Sequence, residues 1–288
     1  MVDTSVAVPA RWRDLRKQPV DDVLSRVEAG LGVVLDRETV ARKRRSVGAR
    51  SARGTWVRVE LRSLAKIAAQ GQAGNGMEAA NLLSGIAKPA WYAALCWHDA
   101  EGEAVWRADE IQLVTDTPLQ RRALREVSLS QTWWATLNAS LDALRRQHTT
   151  RIATPDTEPI TQGLVTREIE RAFPDQVDTT LTEPWVPAHA DLNWANLTWP
   201  ECWIIDWEDH GIAPRGLDAA KLWASSLGIG ELAERVWQQR RADLETGPGR
   251  LMGLFCCAKI LNDSSIPAEP RETTTHAARA LVADLRQR

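Results

Sequence analysis

The 288-residue sequence predicts an α+β protein in two parts, a small, mostly antiparallel sheet with one inserted helix and then a larger, mainly helical region. Three observations carry this. The segment 55–61, Thr-Trp-Val-Arg-Val-Glu-Leu, alternates apolar and polar residues, the mark of a half-buried strand. Apolar residues at helical spacing take over after Thr117-Pro118, and proline after a threonine cap is a helix-start signal. The composition, 44% hydrophobic and 26% charged, is that of a globular chain and excludes disorder. Residues 1–117 are therefore expected to form the first domain and 118–288 the second.

Along the chain, Val20, Val23, Leu24 and Val27 form a helical stripe over 20–30. The basic run Arg42-Lys43-Arg44-Arg45 reads as a solvated strand or loop rather than a nucleic-acid patch, because acidic residues flank it and the total charge is near zero. In the 55–61 strand, Val57, Val59 and Leu61 face one side while Arg58 and Glu60 face the other. A glycine-rich stretch from Gly71 to Gly76 leads into a short helical run from Met77 to Leu83. Pro89, Trp91, Tyr92, Leu95 and Trp97 indicate a second strand, Asp99 to Gly102 a turn, and Val105 to Val114 a third strand. Val127, Trp134 and Leu141, with Leu137 and Leu144 between them, predict a long amphipathic helix over 118–147. Residues 151–186 are polar and proline-punctuated, and further helices are expected at 216–227, 230–245, 250–262 and 273–287.

Charge and cysteine content narrow the function. A formal net charge of −2 gives no global field toward nucleic acid or an anionic membrane, so neither is an expected partner. No window approaches a membrane-spanning run, and residues 1–13 lack the charged start and apolar core of a signal peptide, which makes a cytoplasmic location the expectation. Cys96, Cys202, Cys256 and Cys257 contain no C-x-x-C pair, arguing against a disulfide scaffold or structural zinc. There is no H-E-x-x-H, no G-x-S-x-G and no G-x-x-x-x-G-K-[ST]. The 30 arginines against 6 lysines, and 14 tryptophans against 2 phenylalanines and 1 tyrosine, read as genomic base composition.

The chemistry concentrates between His189 and Glu208. Leu197 to Trp199 and Trp203 to Ile205 are β-prone, with Pro200-Glu201-Cys202 between them as a turn. A hairpin centred on Glu201 sets Asn196 opposite Asp206, and directly opposed residues hold their Cβ atoms about 4.5–5.5 Å apart. An amide oxygen and a carboxylate converging there suit a hard cation; magnesium takes few protein oxygens and completes its shell with phosphate and water. Asp191 lies five residues before Asn196, in the loop entering the hairpin, where it can face a substrate. Taken singly, Asn196 or Asp206 would equally well cap a hairpin by bonding backbone N–H groups.

His189-x-Asp191-x-x-x-x-Asn196, followed by an apolar strand and Ile205-Asp206-Trp207-Glu208, resembles the aminoglycoside phosphotransferase and choline kinase group within the protein-kinase-like fold. The resemblance implies a bilobal fold, with a small antiparallel N-lobe covering ATP and a larger, mainly helical C-lobe holding the substrate. Trp207 and Glu208 after the metal-binding aspartate favour a small-molecule kinase over a eukaryotic-type protein kinase. By the same resemblance, Asp191 is the catalytic residue that orients the acceptor hydroxyl and takes its proton late. His189 anchors its loop, and Asn196 and Asp206 hold Mg²⁺. Glu208 supports the metal from behind, and Asp218, in Ala213-Pro-Arg-Gly-Leu-Asp218, buttresses the catalytic loop. Arg58 stands where the family places a phosphate-holding lysine, and Glu78 would be its acidic partner. An exposed strand residue and a solvated helix residue are the alternative roles for these two. The phosphate-covering loop would lie near 48–54, which lacks G-x-G-x-x-G. The expected function is ATP- and Mg²⁺-dependent phosphorylation of a small-molecule hydroxyl. The excess of acidic residues in 151–186 would suit an amino sugar or amino alcohol. A peptide Ser/Thr acceptor, or an inactive pseudokinase that serves as a binding partner, are the alternatives.

Overall fold

The computed structural model describes residues 14–119, 127–155 and 158–287. The expectations for residues 1–13, for the 120–126 part of the long helix and for Asp156 lie outside the described residues. The chain divides into two compact units, one of residues up to Lys66 with Trp91–Leu113, the other of Ile67–Ala90 with Val114–Arg288.

The first unit begins with α1 (Asp21–Leu31), whose buried Leu24 and Val27 come from the predicted stripe. Five antiparallel strands follow: β1 (Ala41–Arg42), β2 (Ser46–Arg50), β3 (Thr55–Ser63), β4 (Trp91–His98) and β5 (Ala104–Gln112). They lie in the order β1-β2-β3-β5-β4. The basic run at 42–45 falls at the exposed β1–β2 turn, as a solvated segment should. Alternation along β3 sends Val57, Val59 and Leu61 into a core with Leu24, Val27, Val47, Trp106 and Ala108. Burying each such side chain contributes about 1.5–3 kcal/mol. Arg58, Glu60 and Arg62 therefore share the other face of β3, where Glu60 pairs with Arg62 at 3.0 Å and with Arg58 at 3.5 Å. Between β2 and β3, Ser51 Oγ accepts from the Arg53 and Thr55 amides and closes the turn at 51–54.

α2 (Leu64–Gln70) starts at the end of β3 and carries the chain into the second unit, where α3 (Gly76–Ala80) precedes two short strand pairs. β6 (Thr117–Pro118) pairs with β8 (Thr198–Trp199), and β7 (Val186–Ala188) with β9 (Gly211–Ala213). Thr117-Pro118 is thus a sheet edge rather than a helix start. The described part of the long helix is α4 (Gln131–Leu144), started by Ser130, whose side chain accepts from the Trp133 amide. The rest is helical: α5 (Gln162–Ala172), α6 (Leu217–Ser226), α7 (Gly230–Gln239), α8 (Arg241–Leu244), α9 (Gly247–Asn262) and α10 (Ala268–Arg286).

Three boundaries differ from the sequence reading. The 230–245 segment breaks at Arg240, whose guanidinium is drawn to Asp142 and Asp243. α9 begins at Gly247 because Thr246 caps it and Pro248 occupies its first turn, a position where proline is well tolerated. α10 begins five residues earlier than its apolar stripe suggests, at Ala268 instead of 273. Apolar on all sides, α9 forms the core helix and packs on α5, α6 and α10. All four cysteines are free, and burial pushes the Cys202 thiol up to about 12. Among the described residues no helix is long and apolar enough to cross a membrane.

Candidate active site

The centre of the site is the loop leaving β7. His189 is fully buried, and both its ring nitrogens are used. A carbonyl can only accept, so Nε2 donates to the Ile205 oxygen at 3.0 Å, which leaves Nδ1 to accept the Asp191 amide at 3.3 Å. The edge of Trp207 packs on the ring, with centroids 4.7 Å apart. Ala190 adopts φ 71, a left-handed conformation rare for residues other than glycine. Asp218, in the first turn of α6, holds this bend in place. Its carboxylate accepts the His189 amide at 2.7 Å and the Ala190 amide at 2.9 Å. Burial pushes the Asp218 carboxyl up, opposed by His189 and by these two amides, which favour the ionised form.

Asp191 stands at the open end of the loop. Asn196 Nδ2 donates to its backbone oxygen at 2.8 Å and to Oδ2 at 3.0 Å. Asn193 Nδ2 reaches the same backbone oxygen at 3.1 Å and Oδ1 at 3.3 Å. Lys221 Nζ, from α6, lies 3.3 Å from Oδ1. Asn196 closes the 3-10 turn Trp194–Asn196, which Asn193 caps. Because both bonds of its amide are donated by Nδ2, Asn196 Oδ1 is left as an oxygen donor.

The hairpin after Asn196 is real, but its register is one residue off the sequence reading. Leu197 bridges Ile204, and the Ile205 amide donates to Asn196 O, so Ile205 rather than Asp206 stands opposite Asn196. The cause is a four-residue loop, 199–202, in place of the expected three-residue turn. Thr198 Oγ1 closes it, accepting from the Trp203 amide and donating to Glu201 O. In a regular ladder such a slip would put the two side chains on opposite faces. Asp206 has left the ladder, with φ 68 and ψ 56, and leads into the 3-10 turn Trp207–Asp209.

That turn is clasped from behind by a residue the sequence reading missed. The buried Arg151 donates to the backbone oxygens of Ala73, Glu208 and His210 and to Asn75 Oδ1 at 2.9 Å. Thr154 Oγ1 donates to Asp209 at 2.6 Å. Gly76 lies so close that a Cβ there would sit 2.1 Å from Glu208 O. Thus α3, which carries Glu78, packs on the 207–209 turn in the second unit, whereas Arg58 sits on β3 in the first. His189, Asp191, Asn196, Asp218 and the segment holding Asp206 and Glu208 are all gathered in the second unit. Beside Asp191 opens a cavity of about 260 Å³, lined among others by Asn193, Lys221, Phe255, Cys256 and Lys259. Lys221 and Arg151 were legible only in part: Lys221 falls one helical turn after Asp218, on the same face of α6.

The sequence profile of the phosphotransferase enzyme family (APH) matches residues 57–254. The chain belongs to this family. It is accordingly a phosphotransferase with a hydroxyl acceptor, and the two-part α+β architecture is that of the protein-kinase-like fold. Among solved structures, the GDP and kanamycin complex of APH(2")-IIia is 13% identical at a TM-score of 0.56, covering 91% of this chain and 98% of that one. Choline kinase LicA from Streptococcus pneumoniae is 12% identical at a TM-score of 0.55, covering 92% and 99%. Amicoumacin kinase hAmiN, solved with AMP-PNP, Ca²⁺ and Ami, is 11% identical at 0.52, covering 92% and 94%. At these identities the likeness speaks for the fold. No curated protein matches the chain at the sequence level.

Proposed function

We propose that this phosphotransferase moves the γ-phosphoryl group of ATP, as its Mg²⁺ complex, to a hydroxyl of a small molecule, with Asp191 as the catalytic residue. The observation that carries this is the pair of hydrogen bonds that Asn196 Nδ2 donates to the backbone oxygen and to Oδ2 of Asp191, which holds the carboxylate and at the same time leaves Asn196 Oδ1 for a cation. In the step itself the acceptor oxygen bonds to the γ-phosphorus while the bond from that phosphorus to the ADP oxygen breaks. ADP leaves with the electron pair, and the hydroxyl proton passes to Asp191. Because such transition states are loose, orientation matters more than basicity. His189 and Asp218 hold the loop, and neither exchanges a proton with substrate.

The donor set fits magnesium: one amide oxygen at Asn196 and one carboxylate at Asp206, hard and few, with Glu208 two residues on. When bound there, the ion supplies neutralisation of charge between the β- and γ-phosphates. We assign Arg58 to the nucleotide phosphates, where a guanidinium can grip bidentately, with Glu78 as the acidic counterpart the family pattern implies. Relatives of the same fold solved with GDP or AMP-PNP support a nucleotide donor.

Incubation with Mg-ATP and panels of alcohols, amino sugars and peptides, read by ADP release and product mass, tests the proposal. A small-molecule product heavier by one phosphoryl group, lost in Asp191→Asn with nucleotide binding retained, is the expected result. A phosphopeptide would instead favour a polypeptide acceptor, and ATP binding without turnover a binding role. An Asp191→Asn enzyme of full activity would overturn the assignment.

A further inference from the structure

We propose that Lys221 is a positioning residue for the transfer step: its ammonium closes one oxygen of the Asp191 carboxylate and so directs the acceptor's proton to the other, Oδ2. This rests on the reading of Asp191 as the catalytic residue and deepens it, naming the oxygen that works and the group that selects it.

The donors around Asp191 are of two kinds. Asn193 Nδ2 lies 3.3 Å from Oδ1 and Asn196 Nδ2 3.0 Å from Oδ2, and both belong to the turn that carries Asp191. They travel with that turn and do not fix its place in the protein. Lys221 Nζ, 3.3 Å from Oδ1, is among the described residues the one donor to this carboxylate from outside the turn. It comes from α6, which packs on the core helix α9. The same helix holds the turn at two further points. Asp218, three residues before Lys221, takes the His189 and Ala190 amides, and Ser226 Oγ accepts the Trp194 indole N–H at 2.9 Å. α6 is thus the frame against which the catalytic turn is set, and Lys221 extends that frame to the carboxylate.

Each carboxylate oxygen offers two lone-pair directions. Oδ1 faces two donors, Asn193 and Lys221, whereas Oδ2 faces one, Asn196. The open direction is therefore at Oδ2, the oxygen tied to the residue whose own Oδ1 is left for the cation. In the transfer the acceptor oxygen bonds to the γ-phosphorus, the bond from that phosphorus to the ADP oxygen breaks with its electron pair going to ADP, and the hydroxyl proton goes to Oδ2. Lys221 remains an ammonium throughout. Its side chain is 14% exposed and that of Asp191 33%, so salt screens their attraction less than that of a surface pair. Without Lys221 the carboxylate can turn about its Cβ–Cγ bond and offer either oxygen, and a misplacement of about 1 Å costs up to about 100-fold in rate.

Water and glycerol serve as acceptor probes, with ADP release from Mg-ATP as the readout. Lys221→Met should lower kcat about 10- to 100-fold and leave the KM for Mg-ATP within about twofold. Lys221→Arg should regain part of the loss, since a guanidinium keeps the charge but not the reach. Lys221→Ala opens space beside the cavity of about 260 Å³ that Lys221 lines, and added ethylammonium should restore its kcat saturably. Tetramethylammonium, which has no N–H to donate, should not. Loss of a merely structural contact would not respond to the added amine. Lys221→Gln takes the place of Lys221→Met if the methionine variant does not fold. A variant of parental kcat, a loss that appears in the KM for Mg-ATP instead, or an alanine variant that ethylammonium leaves unchanged overturns the role of Lys221, while phosphoryl transfer at Asp191 stands. ADP release that Asp191→Asn does not lower overturns both.

Discussion

Asp218 contributes nothing to the cavity beside Asp191, yet two consecutive amides of the catalytic loop end on its carboxylate. Asparagine in its place offers one acceptor oxygen where two are needed and turns an N–H toward a donor. Asp218→Asn should therefore cost about 1–3 kcal/mol in urea unfolding and lower kcat more than it raises the KM for ATP. His210 makes a different prediction. Its Nδ1 donates to the Trp207 oxygen at 2.8 Å, its buried Nε2 has no hydrogen-bond partner among the described residues, and burial holds its pKa down at about 4. A histidine whose folded pKa is depressed contributes stability that is present above the ordinary value, near 6.5, and lost as pH falls toward 4. The loss approaches about 3 kcal/mol below both values. His210→Asn keeps the donor to Trp207 and should flatten the decline of Tm between pH 6.5 and pH 4; a decline as steep as in the parent would exclude His210 as its source. Residues of this kind differ in how plainly the sequence announces them. Asp191 and Asn196 are five positions apart and belong to one local turn, so spacing alone brings them together. The Lys221 contact to Asp191 spans thirty positions and depends on how α6 docks, which no local pattern encodes.

The hairpin at 197–205 shows the limit at the scale of elements. Its two strands and its turn residues were legible from β-propensity and Pro200, but its register was not. Register here depends on one hydroxyl, Thr198 Oγ1, which both accepts from Trp203 and donates to Glu201 and so selects a four-residue loop. Three of the five strands of the first unit, β3, β4 and β5, were read to within two residues because alternation is a strong signal where one face is buried, whereas β2 was not read as a strand. Helix starts fared worse wherever a cap or a proline, rather than periodicity, set the boundary, as at Ser130 and Pro248. The clasp around the 207–209 turn belongs to this scale too. Arg151→Met removes the donor to four acceptors, of which the His210 oxygen is buried and the others partly so, and should lower stability by about 1–3 kcal/mol, measured by urea unfolding, with a parallel fall in kcat as Glu208 loosens. Gly76→Ala should act in the same direction, since its methyl would have to displace the Glu208 backbone.

For the molecule as a whole, the family profile from 57 to 254 runs through both compact units. A ligand that binds only the folded chain stabilises it by mass action. At a hundred times its Kd, a non-hydrolysable Mg-ATP analogue should add about 2.7 kcal/mol and raise Tm by several degrees. Asp206→Ala should remove the magnesium-dependent part of that shift while leaving the fold intact, as followed by differential scanning calorimetry with and without EDTA. An undiminished shift would mean that the cation is held elsewhere.

The abundance of tryptophan has one further consequence. Trp194, two residues before Asn196, stacks on Trp133 at 6.1 Å and meets Trp134 edge-on at 6.2 Å, while its indole N–H is tied to Ser226 of α6. Three indoles this close couple their electronic transitions, and the sign and size of the resulting near-ultraviolet circular dichroism band depend on their mutual angles. The protein thus contains its own optical gauge of the turn that presents Asn196, readable during titration without any attached label.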